Sequence, residues 1–256
     1  MSNHQALADP LTLAIDIGGS HLKAGVLTAG GTMTNGPVRV VTPKSARPAA
    51  VVEALAALVQ PLGHYDRVSI GFPGVVRAGA VLTAPNLGTK AWRRFPLAAT
   101  MQQRLGRPTR MLNDASVQGL GVITGRGLEC VLTLGTGMGF ALFYNGRIAP
   151  HLELSQHPVH KDKTYDQYVG YAALTDAGPR RWNRRMRRVI DLLTTLTNFD
   201  VLYIGGGNAR LIKPPLPGNV TLVSNDAGIT GGVRLWDSRL DDAFEDIASK
   251  PLAVEP

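Results

Sequence analysis

The sequence predicts an α/β protein of two halves facing each other across a central cleft. Strand-like and helix-like stretches alternate along most of the chain. The 256 residues include 29 glycines but few aromatics, a composition suited to tight turns between elements. A strand, a glycine turn and a second strand occur at residues 11–27 and again at 130–148, about one domain-length apart.

In order, Leu11, Leu13, Ile15 and Ile17 begin a hairpin that turns on Gly-Gly-Ser and resumes to residue 27. A third strand is expected over 32–41. A helix follows with Pro48 near its start and Val51, Leu55, Leu58 and Leu62 on one face. The strand RVSIGF leads into FPGVVRAG and the loop-rich TAPNLGTKAWRRF. A helix near 96–105, the strand TRMLND and a helix over 115–122 complete the first half. The second half opens with CVLTLGTGMGFALFYNGRI, read as three strands joined by a glycine turn and an Asn-Gly turn. A long helix at 179–198, the strand VLYIGGG, a short helix, the strand VTLVSND and the helix DAGITGGVRLW follow. The tail beyond Asp241 is acidic and expected to pack loosely. The halves are placed at 1–122 and 123–256, with a hinge near 121–127 and the final helix free to pack back on the first half.

Composition narrows the function classes. The 27 Lys and Arg against 19 Asp and Glu give a net charge of +8, which attracts polyanions: nucleic acid, nucleotides or inorganic polyphosphate. A single cysteine, Cys130, excludes an intrachain disulfide and a cysteine-rich zinc site. The first ten residues lack the charged start and apolar run of a signal peptide, and no apolar stretch is long enough to span a bilayer. The expected location is the cytoplasm, with no membrane partner.

Seven stretches carry candidate chemistry. Asp16 beside Gly18, Gly19 and Ser20 reads as an ordinary turn, or as a carboxylate holding magnesium through water beside N–H groups that bind phosphate. Lys23 on the returning strand either adds charge there or is solvated. Gly135, Thr136 and Gly137 form a second bare-backbone turn. It is not the dinucleotide fingerprint, because a strand rather than a helix follows. Asn113 and Asp114 end a strand before a helix. Asp114 is either an N-cap or a base at the crevice of an open sheet, placed to accept a proton from an attacking hydroxyl. Gly74 in GFPG and Asn86 in APNL lie in loops after a strand, where Asn86 suits a sugar hydroxyl. Glu153, Gln156 and His157 cluster in HLELSQHPVH, whose His151, His157 and His160 match no standard zinc spacing. Gly206 and Gly207 in IGGGNARL suit a phosphate at a helix start, or close helix–strand packing. RRWNRRMRR places six arginines in nine residues opposite a core stripe of Trp182, Met186, Val189 and Leu193. This face is solvated, or is where a long polyanion lies.

Taken together, DIGGS…KAG, GFPG, APNL, LND, LGTGMG, ELSQH and IGGGNA, in this order, resemble the ROK family of sugar kinases, and within it the bacterial polyphosphate glucokinases. The resemblance covers residues 11–236. It implies a two-lobed actin-like ATPase (ribonuclease H-like) fold closing over a hexose, glucose foremost. It implies Asp114 as the base for the sugar 6-hydroxyl, with Gly74, Asn86, Asn113 and Glu153 holding the sugar. Donor phosphates, from polyphosphate or ATP with Mg2+, would lie at 18–20 and 135–137. Many members carry a zinc-binding cysteine cluster that is absent here, so no structural zinc is expected. The family pattern ELGH reads ELSQ, with Gln156 at the sugar-binding histidine and His157 next to it. A homodimer is implied as well. The hexose and the donor stay open. A non-catalytic sugar or polyphosphate sensor is the alternative, and a nucleic-acid binder, which leaves the paired hairpins unexplained, is a third reading.

Overall fold

The computed structural model describes residues 9–224 and 227–244. The first eight residues, read above as lacking a leader, lie outside that range. So do the end of the expected strand VTLVSND, the start of the expected final helix, and the acidic tail past residue 244.

The first sheet comprises β1 (Thr12–Ile17), β2 (His21–Leu27), β3 (Met33–Val41), β4 (Arg67–Phe72) and, after the short hairpin of β5 (Val76–Arg77) and β6 (Ala80–Val81), β7 (Thr109–Asn113). Its order is β3-β2-β1-β4-β7. The three hairpin strands are antiparallel, and β4 and β7 run parallel to β1. The second sheet holds β8 (Leu128–Leu134), β9 (Met138–Tyr144) and β10 (Arg147–Ile148). After the small hairpin of β11 (Pro158–His160) and β12 (Lys163–Thr164) it continues with β13 (Val201–Gly205) and β14 (Val220–Leu222), in the order β10-β9-β8-β13-β14. The same pattern of antiparallel and parallel neighbours recurs. The repeat expected from the two glycine hairpins is thus a repeat of topology.

Helices α1 (Pro48–Val59), α2 (Thr89–Trp92) and α3 (Leu97–Leu105) belong to the first half of the chain. Val51, Val52, Leu55, Val59 and Met101 bury against Leu13, Ile15, Ile70 and Phe72. The central strands are apolar over most of their length because both faces are covered. Helix α4 (Asp114–Leu120) lies between the sheets, where Ala115, Val117 and Leu120 share a core with Val131, Phe143 and Tyr203. On the far face of the second sheet pack α5 (Tyr165–Val169) and α6 (Tyr171–Thr197). α6 breaks at Gly178, whose φ of 71° is not helical, just before Pro179. The helix expected over 179–198 is its second part.

The expected helix DAGITGGVRLW is one short α-helical stretch, α7 (Ala227–Thr230), followed by 3-10 turns at Gly231–Trp236 and Ser238–Ala243. Gly231 presses so closely on the Val117 carbonyl oxygen that no side chain fits, and the Gly-Gly pair has little helix propensity. This last segment lies on the first sheet. Ser69 Oγ donates to the Gly232 carbonyl at 2.7 Å, and Trp236 Nε1 donates to Ser69 Oγ at 2.9 Å. Among the described residues no helix is long and apolar enough to cross a membrane.

Candidate active site

A cleft of about 310 Å³ lies between the strand ends of the two sheets, in the size range of small-molecule sites. It gathers Asp16, Gly18, Gly19, Ser20, Lys23, Gly74, Asn86, Asn113, Asp114, Gly135, Thr136, Gly137, Glu153, Gly206 and Gly207 from the sequence-derived set. Gln156 and His157 are not among its lining residues. Gln156 donates to Ser155 Oγ and to Asp166 Oδ2 at 3.2 and 3.3 Å, and His157 is exposed.

On the first sheet, the turn after β1 is held by Thr42, whose Oγ1 donates to the Gly18 carbonyl at 2.7 Å and whose N–H donates to the Ser20 carbonyl at 3.0 Å. Asp16 and Lys23 are cross-strand partners in the β1–β2 register, and Lys23 Nζ lies 3.3 Å from Asp16 Oδ2. Burial pushes the Asp16 carboxyl above its ordinary range, and the lysine opposes that push.

At the junction of β7 and α4 Asp114 is not the N-cap. The N-cap is Asn113: its Oδ1 accepts from the N–H groups of Ala115 and Ser116 at 2.9 and 3.3 Å. Asp114 is therefore the first helical residue and takes a bond from Ala115 N–H at 2.8 Å while lining the cleft. Asn113 Nδ2 donates to the carbonyls of Gly74 and Phe72, so its polar atoms are occupied by the protein. Burial, then the charge of Asp16 and, more weakly, that of Glu153 push the Asp114 carboxyl up to about 7.

On the second sheet, the Gly135–Gly137 turn is fixed from three sides. Asp166 Oδ1 accepts from Met138 N–H at 2.7 Å, Tyr171 N–H donates to the Thr136 carbonyl at 3.1 Å, and Asn208 Nδ2 donates to the Gly135 carbonyl at 3.0 Å. A Cβ on Gly137 would sit 2.5 Å from Asp166 Oδ1, so this glycine is required by close approach. Leu134, just before the turn, lies against Gly206, and its carbonyl accepts from Asn208 N–H at 3.0 Å, past the end of β13. The helix expected after IGGGN is one 3-10 turn, Ala209–Leu211.

Other lining residues stand outside the sequence-derived site set, among them Ser155 and Asp166, and with them His151, which the sequence offered only as a metal ligand of no standard spacing. Ser155 Oγ donates to Glu153 Oε1, and His151 Nε2 lies 3.6 Å from Glu153 Oε2. The His151 side chain is 11% exposed, and neither ring nitrogen has a hydrogen-bond partner. Burial raises the Glu153 carboxyl, but His151 and Ser155 outweigh it and leave that group below its ordinary range. The cleft thus sets a carboxyl poised near neutrality, Asp114, beside one held ionised, Glu153. Asp166 could have been suspected from the capping box of Thr164 and Gln167, which puts it in the first turn of α5.

The model of the ROK family matches residues 12–150. The polyphosphate glucokinase of Mycobacterium tuberculosis (strain CDC 1551 / Oshkosh) is 29% identical over 233 residues, 85% of this chain and 88% of that one. That of Mycobacterium leprae (strain TN) is 30% identical over 241 residues, 85% of this chain and 72% of the other. The crystal structure of an inorganic polyphosphate/ATP-glucomannokinase from Arthrobacter sp. strain KM superposes with a TM-score of 0.80 at 28% identity, covering 88% of this chain and 98% of that one.

Proposed function

The chain belongs to the ROK family, and from that premise we propose that it is a sugar kinase moving a phosphoryl group from inorganic polyphosphate or ATP to the 6-hydroxyl of glucose or a related hexose. Its fold is that of the actin-like sugar kinases. The observation that carries the reading is Asp114, with its carboxyl pushed up to about 7, at a strand end in the same cleft as two opposed glycine turns.

Asp114 accepts the proton of the 6-hydroxyl as the sugar oxygen bonds to the terminal phosphorus and the bond from that phosphorus to the rest of the donor breaks. A base with a pKa near 7 is ionised often enough to act and basic enough to take the proton. The N–H groups of Gly18 and Gly135 close their own turns on the carbonyls of His21 and Gly137; the N–H groups of Gly19, Ser20, Thr136 and Gly137, with Gly206 and Gly207 behind them, receive the donor oxygens, and Lys23 balances the charge of Asp16. Glu153, kept ionised, accepts from sugar hydroxyls. Asn86 and the loop of Gly74, anchored by Asn113, shape the rest of the sugar site.

Magnesium fits the residues present as an ion shared with donor phosphates. Such an ion needs only one or two carboxylates besides phosphate and water, and Asp16 stands in the cleft to hold it through water. When bound, it neutralises charge on the donor phosphates. The two lobes are assigned to 1–122 and 123–256, and a homodimer is the expected assembly, read by light scattering.

The test is a coupled assay of several hexoses against ATP and polyphosphate, with and without magnesium, on the intact protein and on Asp114→Asn. Phosphorylation of glucose lost in the variant is expected. Glucose binding with no product from any donor would overturn the kinase reading in favour of a sensor.

A further inference from the structure

The second part of α6 carries a charge pattern that the cleft does not use. At 100° per residue, Arg187, Arg180, Arg184, Arg188, Arg181 and Arg185 fall in that angular order within one arc of roughly 160°. The opposite face is clamped into the protein. Trp182 and Met186 are buried, Trp182 Nε1 donates to the Val169 carbonyl at 2.8 Å, and Asn183 bonds the Leu211 carbonyl and Lys213 N–H. The arginines therefore ride on a rigid support.

Five of the six are exposed; Arg185 is half-buried, bonded to the Tyr168 carbonyl and lying over the Tyr168 ring. Among the described residues none of the six is ion-paired with a carboxylate, whereas Arg104, Arg110 and Arg239 each are. Arg180 and Arg184, Arg181 and Arg185, and Arg184 and Arg188 are like charges one turn apart, a spacing that weakens a helix. Lys161 and Lys163 border one hollow beside the arginines and Lys213 another, and Asp176 is the one acid in either. A surface that concentrates positive charge at a cost to its own helix is explained by an anion spread along it.

This face and the cleft lie on either side of α5. α6 starts at Tyr171, whose N–H holds the Thr136 carbonyl in the glycine turn. Arg180 follows just past the break at Gly178, and Arg188 stands about 12 Å of helix beyond Arg180. α5 divides the two regions: its Asp166 lines the cleft and its Tyr168 lines the basic hollow.

We propose that the arginine face of α6, with Lys161, Lys163 and Lys213, is a docking strip for the distal part of a long inorganic polyphosphate whose terminal phosphoryl group lies in the cleft. The proposal rests on the polyphosphate-donor reading above. It makes donor preference a matter of chain length. ATP and tripolyphosphate end before the strip, whereas long chains reach it and are held by several guanidinium groups at once.

The experiment compares the intact protein with the triple variant Arg180→Gln/Arg184→Gln/Arg188→Gln. The expected result is a KM for long-chain polyphosphate raised tenfold or more, with kcat/KM for ATP and tripolyphosphate within twofold of the parent. The salt dependence of long-chain binding should flatten by roughly two to three in log–log slope, by analogy with phosphate neutralisation on nucleic acids. An unchanged or raised Tm, as like charges are removed, shows that the variant is folded. Direct binding of labelled polyphosphate to the parent, with RNA of matched charge as competitor, is measured in parallel. The proposal is overturned if the variant uses long polyphosphate as well as the parent does, if ATP activity falls equally, or if RNA displaces polyphosphate at matched charge. A parent that makes product from ATP but neither uses nor binds polyphosphate refutes both the strip and the donor reading. A parent that uses polyphosphate while the variant is indifferent refutes the strip alone.

Discussion

Asn113 reaches from the end of β7 to the carbonyl oxygen of Gly74, 3.1 Å from its Nδ2, while its Oδ1 caps α4. One side chain thereby ties the loop after β4 to the helix that starts with Asp114. Asn113→Ala removes the cap and leaves the Gly74 carbonyl short of a donor, so a loss of about 1–2 kcal/mol is expected in denaturant unfolding. Hexose KM should rise in the same variant. Asn113→Asp keeps the cap but adds a charge beside Asp114, so its pH–rate profile should move to higher pH.

The elevated carboxyl of Asp114 fixes the sign of two pH effects. As a base it works ionised, so kcat/KM for the hexose should climb with pH and level off above an apparent pKa near 7. The folded state holds this proton more tightly than the unfolded chain. Its contribution to stability is therefore full below the ordinary carboxylate pKa and is lost as pH rises through about 7. Asp114→Asn should cut turnover by roughly two to four decades yet raise the Tm at pH 8, because a buried charge is gone. A turnover unaffected by this change would remove the mechanism.

His151 Nε2 lies 3.6 Å from Glu153 Oε2, and both residues line the cleft. His151→Ala leaves the burial of Glu153 less opposed, so its carboxyl should shift upward and sugar binding should weaken below neutral pH. Loss of a partner to a charged group predicts a hexose KM higher by roughly ten- to a hundredfold, with donor KM little changed. Steady-state kinetics across pH, varying each substrate separately, checks the split.

Gly137→Ala drives a methyl group onto the Asp166 carboxylate that holds Met138 N–H. The displaced turn should cost about tenfold or more in kcat/KM for the donor, while hexose binding by calorimetry persists. Gly218→Ala, with open space around its Cβ position, is the control expected to behave as the parent.

Much of this was legible in the sequence because glycine turns and apolar alternation leave local signatures. The paired hairpins, β4, β7, β13 and the basic helix all lie where periodicity put them. What was not legible depended on contacts distant in sequence. Asn and Asp are equally good caps, so Asn113-Asp114 alone could not say which caps and which faces the cleft. His151 and Ser155 lie in an irregular stretch that includes the 3-10 turn Leu154–Gln156, where no period tells which side chains point inward. Gln156 and His157 follow from the resemblance to the ELGH pattern, and neither lines the cleft. The last helix was over-read because its Gly-Gly pair answers to Val117 and Ala14, far away in sequence.

The stitching of the C-terminal segment onto the first sheet bears on how the chain is made. Ala14 and Leu27 share a small apolar cluster with Ile229 and Val233, and Ser69 waits for Gly232, 163 positions downstream. A ribosome releases the early strands long before their lid exists, so the nascent first sheet must persist with one face uncovered until residues 229–233 have been made. Premature termination anywhere before residue 229 would leave that face bare, a patch for chaperones or for clumping with its own kind.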